Sequence, residues 1–206
     1  MSRINRDFFK EHLQDTLFPH GLKPSQIEGH DAILDTWERS HAKEDDRWLA
    51  YMLATAFHET ARTLQPVRET LAVSDEQAAK RLETAWQAGK LPWVKTPYWR
   101  RDGDGKYWFG RGLVQLTHKE NYAELGKRIG VDLTTDPNVA LTMAPALQVM
   151  FYGMINGSFT KRRLADFFDK GKADWVHARQ IVNGLDRAAD IAGYARAYYA
   201  AISYTM

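Results

Sequence analysis

The sequence contains no cysteine, which excludes a disulfide framework and a thiolate zinc site and leaves the redox compartment open. It also lacks a strong charge of either sign. With 28 Lys and Arg against 26 Asp and Glu the formal net charge is +2, so the chain carries no field able to hold nucleic acid as its main partner. The mild basic excess, with a pI of about 8.7, is compatible with an anionic polymer without selecting for one. Long apolar runs are missing too. The start Met1-Ser2-Arg3-Ile4-Asn5-Arg6-Asp7 is broken up by charges, so neither a signal-peptide core nor a membrane span is expected. These absences lead us to expect a soluble protein made in the cytoplasm, without direct membrane insertion, that something else must deliver to any target beyond the membrane; a monomer is expected. There is no internal repeat, low-complexity tract or interdomain linker. In 206 residues, 44% of them hydrophobic, one sizeable core is attainable, and 1–206 is expected to be a single domain with two lobes.

What is present is mostly helical patterning. Phe8, Phe9, Leu13 and Leu17 repeat at helical spacing over 7–17 and stop at Pro19-His20-Gly21. A second helix is expected over 25–40, opened by Ser25 with Glu28 as a capping box. The strongest segment is 45–60, where Trp48, Leu49, Met52, Leu53, Ala56 and Phe57 make a broad apolar face; Pro66 should end any continuation of it. Further helices are expected over 76–88, 119–129, 146–155, 175–182 and 187–202, with a short amphipathic piece over 164–168. Between them, 91–112 is rich in Trp, Tyr and Gly. There Asp102-Gly103-Asp104-Gly105 signals a turn, and Tyr98-Trp99 and Tyr107-Trp108-Phe109 read as the two arms of a hairpin.

Candidate chemistry gathers around two glutamates. Glu59 ends the most apolar helix, and a carboxyl there is partly desolvated, which suits a proton donor; a solvent-facing helix end with no role is the plainer alternative. Were the helix unbroken, Glu69 would lie about 15 Å further along. A turn at Pro66 instead allows Glu69 to fold back and face Glu59 across a groove. The separation would be about 5 Å in a retaining glycosidase or about 6.5–9.5 Å in an inverting one. The alternative for Glu69 is an exposed carboxylate paired with Arg68 or Arg62. Gly110-Arg111-Gly112 permits tight turns and close approach of a bulky ligand, and Gln115, Thr117 and Asn121 follow with polar ends suited to one wall. Thr117 can hold a water, cap the helix that starts at Lys119, or do both.

The order His58-Glu59-Thr60, Glu69, then Tyr107-Trp108-Phe109-Gly110-Arg111-Gly112-Leu113-Val114-Gln115-Leu116-Thr117 with Asn121-Tyr122, and later Ile181-Val182-Asn183-Gly184, resembles glycoside hydrolase family 19 chitinases. It also resembles the related bacteriophage endolysins of the lysozyme-like superfamily. The likeness extends over about 48–202. It implies a mainly α (α+β, lysozyme-like) fold, a bilobed helical domain with a small β-hairpin beside an active-site groove. It further implies an inverting reaction in which Glu59 is the general acid, Glu69 the general base, and Thr117 the hydroxyl that helps hold the attacking water. Gln115, Asn121 and Asn183 would bind sugar hydroxyls or acetamido groups, and Arg111 would brace the carboxylates. No cofactor is implied, and the implied partner is peptidoglycan or a chitin-type polysaccharide. Plant-type members carry disulfides and a glycine-rich turn after the first glutamate, whereas this chain reads Thr60-Ala61-Arg62. The cysteine-free form looks more like a phage or prophage wall hydrolase. A wall-binding or phage structural protein without turnover is the reading from another class.

Other signals carry less. His58-Glu59-Thr60-Ala61-Arg62 begins like a zincin motif but has Arg62 where the second histidine ligand is needed, so no metal is expected. His58 reads as a hydrogen-bonded structural histidine packed beside the active helix, and as a substrate-binding candidate, rather than as a catalytic group. Asp102-Gly103-Asp104-Gly105 lacks the later ligands of a calcium loop. Trp86, Trp93, Trp99 and Trp108 offer faces for stacking on sugar rings, with Tyr107 and Trp108 favoured for their place beside Gly110, although aromatic packing competes for all of them. Lys161-Arg162-Arg163 reads as a solvated edge.

Overall fold

A computed structural model of the chain describes residues 3–205, so Met1, Ser2 and Met206 lie outside it. The described residues form seven α-helices: α1 Arg6–Thr16, α2 Pro24–Ser40, α3 Asp46–Glu59, α4 Asp75–Gln87, α5 Lys119–Ile129, α6 Met143–Asn156 and α7 Ala188–Ala201. Four two-residue strands, β1 Val67–Arg68, β2 Arg111–Gly112, β3 Phe168–Asp169 and β4 Lys172–Ala173, pair antiparallel as β1 with β2 and β3 with β4. The expected class, mainly α with a small antiparallel element, is the class observed. None of the described helices is long and apolar enough to cross a membrane. The chain divides into two compact units, Met1–Gln65 with Met150–Met206, and Pro66–Val149.

In the first unit α3 is the core. Every residue from Leu49 to Phe57 is buried, the pattern of a helix enclosed on all sides rather than amphipathic. α7 packs along it with Ile191, Ala192, Ala195 and Tyr198 buried, while α1 adds Phe9 and Leu13 and α2 adds Ile33, Leu34 and Trp37. Full burial of each Leu, Met or Phe is worth about 1.5–3 kcal/mol, so this helix is among the best-anchored parts of the unit. Asp45 caps its start by accepting the Arg47 N–H at 2.9 Å. The start of α2 departs from expectation. Pro24 is its first residue, and the capping exchange runs between Lys23 and Gln26, whose Oε1 accepts the Lys23 N–H at 2.8 Å. Ser25 and Glu28 therefore already lie inside the helix.

The second unit is built around Ala72, Ala78, Leu82, Trp99 and Phe109, with Trp86, Leu91, Val94, Tyr98 and Tyr107 packed against them. Ser74 caps α4 through the Gln77 N–H at 3.2 Å, and Gly130 closes α5 in the left-handed conformation, φ 70°. The hairpin expected between Tyr98-Trp99 and Tyr107-Trp108-Phe109 does not form. The turn is there, with the Asp102 N–H donating to Lys106 O at 2.9 Å, but beyond it the rings are anchored one by one. Trp99 Nε1 donates to Glu83 and Trp108 Nε1 to Asp102. The strand that does pair comes later in the chain, and its register sets Val67 opposite Gly112 and Arg68 opposite Arg111.

Candidate active site

Glu59 is the last residue of α3, and a side chain, not the proline, ends the helix there. Thr60 Oγ1 donates to Ala56 O at 2.7 Å and accepts the Leu64 N–H at 2.9 Å. Ala61, Arg62 and Leu64 then take positive φ of 50°, 69° and 55°, a cluster of non-glycine residues in a sparsely allowed region. The turn is complete before Pro66. Gly29 of α2 makes it possible, since a Cβ there would stand 2.1 Å from Leu64 O.

The Glu59 side chain is 15% exposed, and its Oε1 accepts Arg179 Nη1 at 2.6 Å. Arg179 sits in the 3-10 turn His177–Ile181, its side chain 4% exposed, and Nε donates to Asp186 O at 3.2 Å. This cation stands 120 residues away in the chain and was not among the sequence-derived candidates. The turn His177-Ala178-Arg179-Gln180-Ile181 gives no local sign of the pairing. Its backbone carbonyl accepts the Asn183 N–H at 3.1 Å, and Asn183 itself is exposed. Burial holds His58 below its ordinary range, partly offset by the negative charge of Glu59.

Glu69 follows β1 in a 3-10 turn, Glu69–Leu71. Its N–H donates to Gly110 O at 2.8 Å, while the Gly110 N–H donates back to Oε2 at 2.7 Å. Tyr98 Oη donates to the other oxygen, Oε1, at 2.6 Å. Both carboxylate oxygens are therefore held by neutral donors. The expected alternative, a pair with Arg68, is not what forms, because Arg68 Nε donates to Asp75 at 2.5 Å. A Cβ on Gly110 would lie 2.7 Å from Gln115 Oε1 and 3.2 Å from Gln115 Cβ, so the Gln115 side chain would have to shift to admit it.

The polar residues after Gly110 tie one another together. Gln115, at φ 54°, donates Nε2 to Val67 O at 3.2 Å, Thr117 Oγ1 donates to Gln115 O at 3.0 Å, and Asn121 Nδ2 donates to Thr117 O at 2.7 Å. Thr117 is not the cap of α5. His118 holds that position at φ 73°, without a side-chain cap bond. All three polar side chains are half-buried, and the Thr117 hydroxyl keeps lone pairs with which to receive a water.

Two further expectations are corrected. Arg111 braces neither Glu59 nor Glu69. Its side chain is fully buried, Nη2 donates to Asp75 at 2.7 Å, Nε to Asn138 at 3.2 Å and Nη1 to Tyr107 O at 3.0 Å, and the guanidinium lies 4.2 Å over Phe109. With Arg68, which shares both Asp75 and Asn138, it knits β1, β2 and the start of α4 together. A substrate cannot reach it. Trp108 is 5% exposed, with Tyr122 against its edge and Lys119 over the ring, so it packs rather than presents a face. Tyr107 is half-buried, with Arg101 stacked 5.0 Å over its ring. The open indole is Trp93, 72% exposed.

Residues 74–157 match the model of the chitinase class I family, glycoside hydrolase family 19. The segment contains Gly110-Arg111-Gly112, Gln115, Thr117 and Asn121 but not Glu59, Glu69 or Asn183, so the match is narrower than the likeness read over 48–202. Among curated relatives, Endochitinase 1 of Theobroma cacao is 50% identical over 38 residues, 18% of this chain and 12% of that protein. Endochitinase 4 of Solanum tuberosum is 45% identical over 38 residues, 18% and 13% of the two chains. The Basic 30 kDa endochitinase of Solanum lycopersicum is 45% identical over a stretch of the same length, covering 18% and 12%. The alignments thus span about an eighth of the relatives' length.

Proposed function

We propose that this chain is a glycoside hydrolase that cuts β-1,4 links between N-acetylated amino sugars of bacterial peptidoglycan by an inverting, two-carboxylate reaction. The observation that carries the reading is the bond from the Gly110 N–H to Glu69 Oε2. It ties a carboxylate suited to activate water directly to the segment that matches the chitinase family. In this reading Glu59 gives its proton to the leaving oxygen, and the Arg179 guanidinium stabilises the carboxylate left behind. Glu69 takes a proton from the attacking water, which Thr117 helps to hold. Gln115, Asn121 and Asn183 meet the hydroxyl and acetamido groups of the sugars. The chain acts as a monomer on the wall, after release through a separate pore.

Chitin is the rival substrate, favoured by the printed names of the plant relatives. The two readings separate when purified protein is incubated with peptidoglycan sacculi and with chitin oligomers and the products are analysed by mass spectrometry. New reducing-end muropeptides are expected from the first. Fragments from chitin alone would transfer the activity to that polymer, and release from neither would leave a wall-binding protein.

A further inference from the structure

Besides the bond within its own turn from the Ala72 N–H, Glu69 makes three hydrogen bonds, two of them with the Gly110 backbone. The third comes from a side chain, Tyr98, in the stretch between α4 and β2 that the hydrolytic reading leaves without a task. We propose that Tyr98 is the positioning residue of Glu69. Its hydroxyl, donating to Oε1 at 2.6 Å, fixes the carboxylate in the orientation from which it takes a proton from water. This inference rests on the reading of Glu69 as the base.

The place of the hydroxyl is set by the core of the second unit and not by the glutamate. The Tyr98 ring packs edge-on against Trp99, centroids 5.1 Å apart, and against His118 at 5.3 Å. Trp99 is fully buried and anchored to Glu83 at 2.8 Å. Just upstream, Trp86 Nε1 donates to Val94 O at 3.1 Å, which pins the approach to Tyr98. A phenol has only two side-chain torsions, so once its ring is packed the oxygen has little freedom, whereas a glutamate alone has three torsions to order.

One bond to each carboxylate oxygen settles the plane and direction of the group and still leaves an acceptor site on each for a water. A neutral donor achieves this without setting a second full charge beside the base. Burial and the nearby negative charge of Glu69 push the phenol well above its ordinary range, so it stays a donor wherever the protein is folded. Ordering a catalytic group before the substrate arrives removes a cost from the chemical step and leaves ground-state binding unchanged.

The test is a kinetic double-mutant cycle of Tyr98→Phe and Glu69→Gln, followed by release of reducing ends from the polymer that the intact protein cuts. Tyr98→Phe is expected to lower kcat roughly 10- to 100-fold with KM unchanged, and to cause no further loss once Glu69→Gln is in place. An equal loss in both backgrounds would assign Tyr98 a purely structural part and overturn the proposal. A fully active Tyr98→Phe beside an inactive Glu69→Gln would overturn it while leaving the base in place. Full turnover by Glu69→Gln would remove the base itself, and the proposal with it. The contact is also read without turnover, by the 13C signal of the Glu69 carboxyl. It is expected to move in Tyr98→Phe, and an unmoved signal would overturn the proposal.

Discussion

Glu59 and Glu69 are the same side chain held in two opposite ways. Glu59 closes an α-helix buried on every side and meets a guanidinium that is itself almost wholly buried, at 2.6 Å. Glu69 leaves a two-residue strand and is held by a phenol and a backbone N–H, both neutral. In the proposed reaction a full positive charge suits the side chain that ends its step as a carboxylate, and neutral donors suit the one that stays aimed at a water and gains a proton. Surroundings divide the roles of paired carboxylates, and under that proposal the Arg179 contact of Glu59 stands against the neutral cradle of Glu69.

The comparison can be broken from either side. Glu59→Gln keeps volume but removes the proton, and is expected to lower turnover roughly 100- to 10,000-fold with the fold intact, as read by reducing-end assay and circular dichroism. Arg179→Met strikes the same region through stability. It removes the bond that Arg179 Nη1 makes to Glu59 Oε1, so the urea midpoint should fall by the equivalent of about 1–3 kcal/mol. On the Glu69 side, Gly110→Ala drives a Cβ against the Gln115 side chain; kcat/KM should fall on the order of tenfold as Gln115 is pushed from its place.

A pH effect distinguishes the packing of the first unit from its chemistry. His30 lies between Gln26 O and Tyr198 Oη, and burial lowers it from 6.5 to about 4. The folded form is therefore the poorer proton binder. The stability this gives is complete above the unfolded value near 6.5 and is lost as the pH falls through about 4. It amounts to about 3 kcal/mol. Urea midpoints of the intact protein and of His30→Gln, taken across that window, should converge as the pH drops. The smallest expected effect is that of Thr117→Val, a slowing of turnover on the order of tenfold with helicity unchanged, because Thr117 does not cap α5.

Much of the helical frame was legible. α1, α4, α5 and α7 begin and end within about two residues of where periodicity and caps put them, since their apolar faces agree with their local signals. The aromatic hairpin misled because alternating rings suggest a strand, whereas here Tyr98, Trp99 and Trp108 each find a separate carboxylate. Pro66 drew attention away from Thr60, whose hydroxyl ends α3 six residues earlier. The resemblance had Arg111 bracing the two glutamates, but its partner Asp75 lies 36 residues back and takes it into the interior. The two glutamates could be named from motif order. The groups that hold them, Arg179, Tyr98 and the Gly110 N–H, are joined to them only by the fold, and no local pattern announces such pairs.

The most direct test of the account follows the anomeric proton of the newly released reducing end by 1H NMR during the first minutes of peptidoglycan digestion. Hydrolysis of a β-link with Glu59 as acid and Glu69 as base for a water on the opposite face predicts that the α-anomer appears first and then mutarotates. First appearance of the β-anomer, or no new reducing end at all, would contradict it.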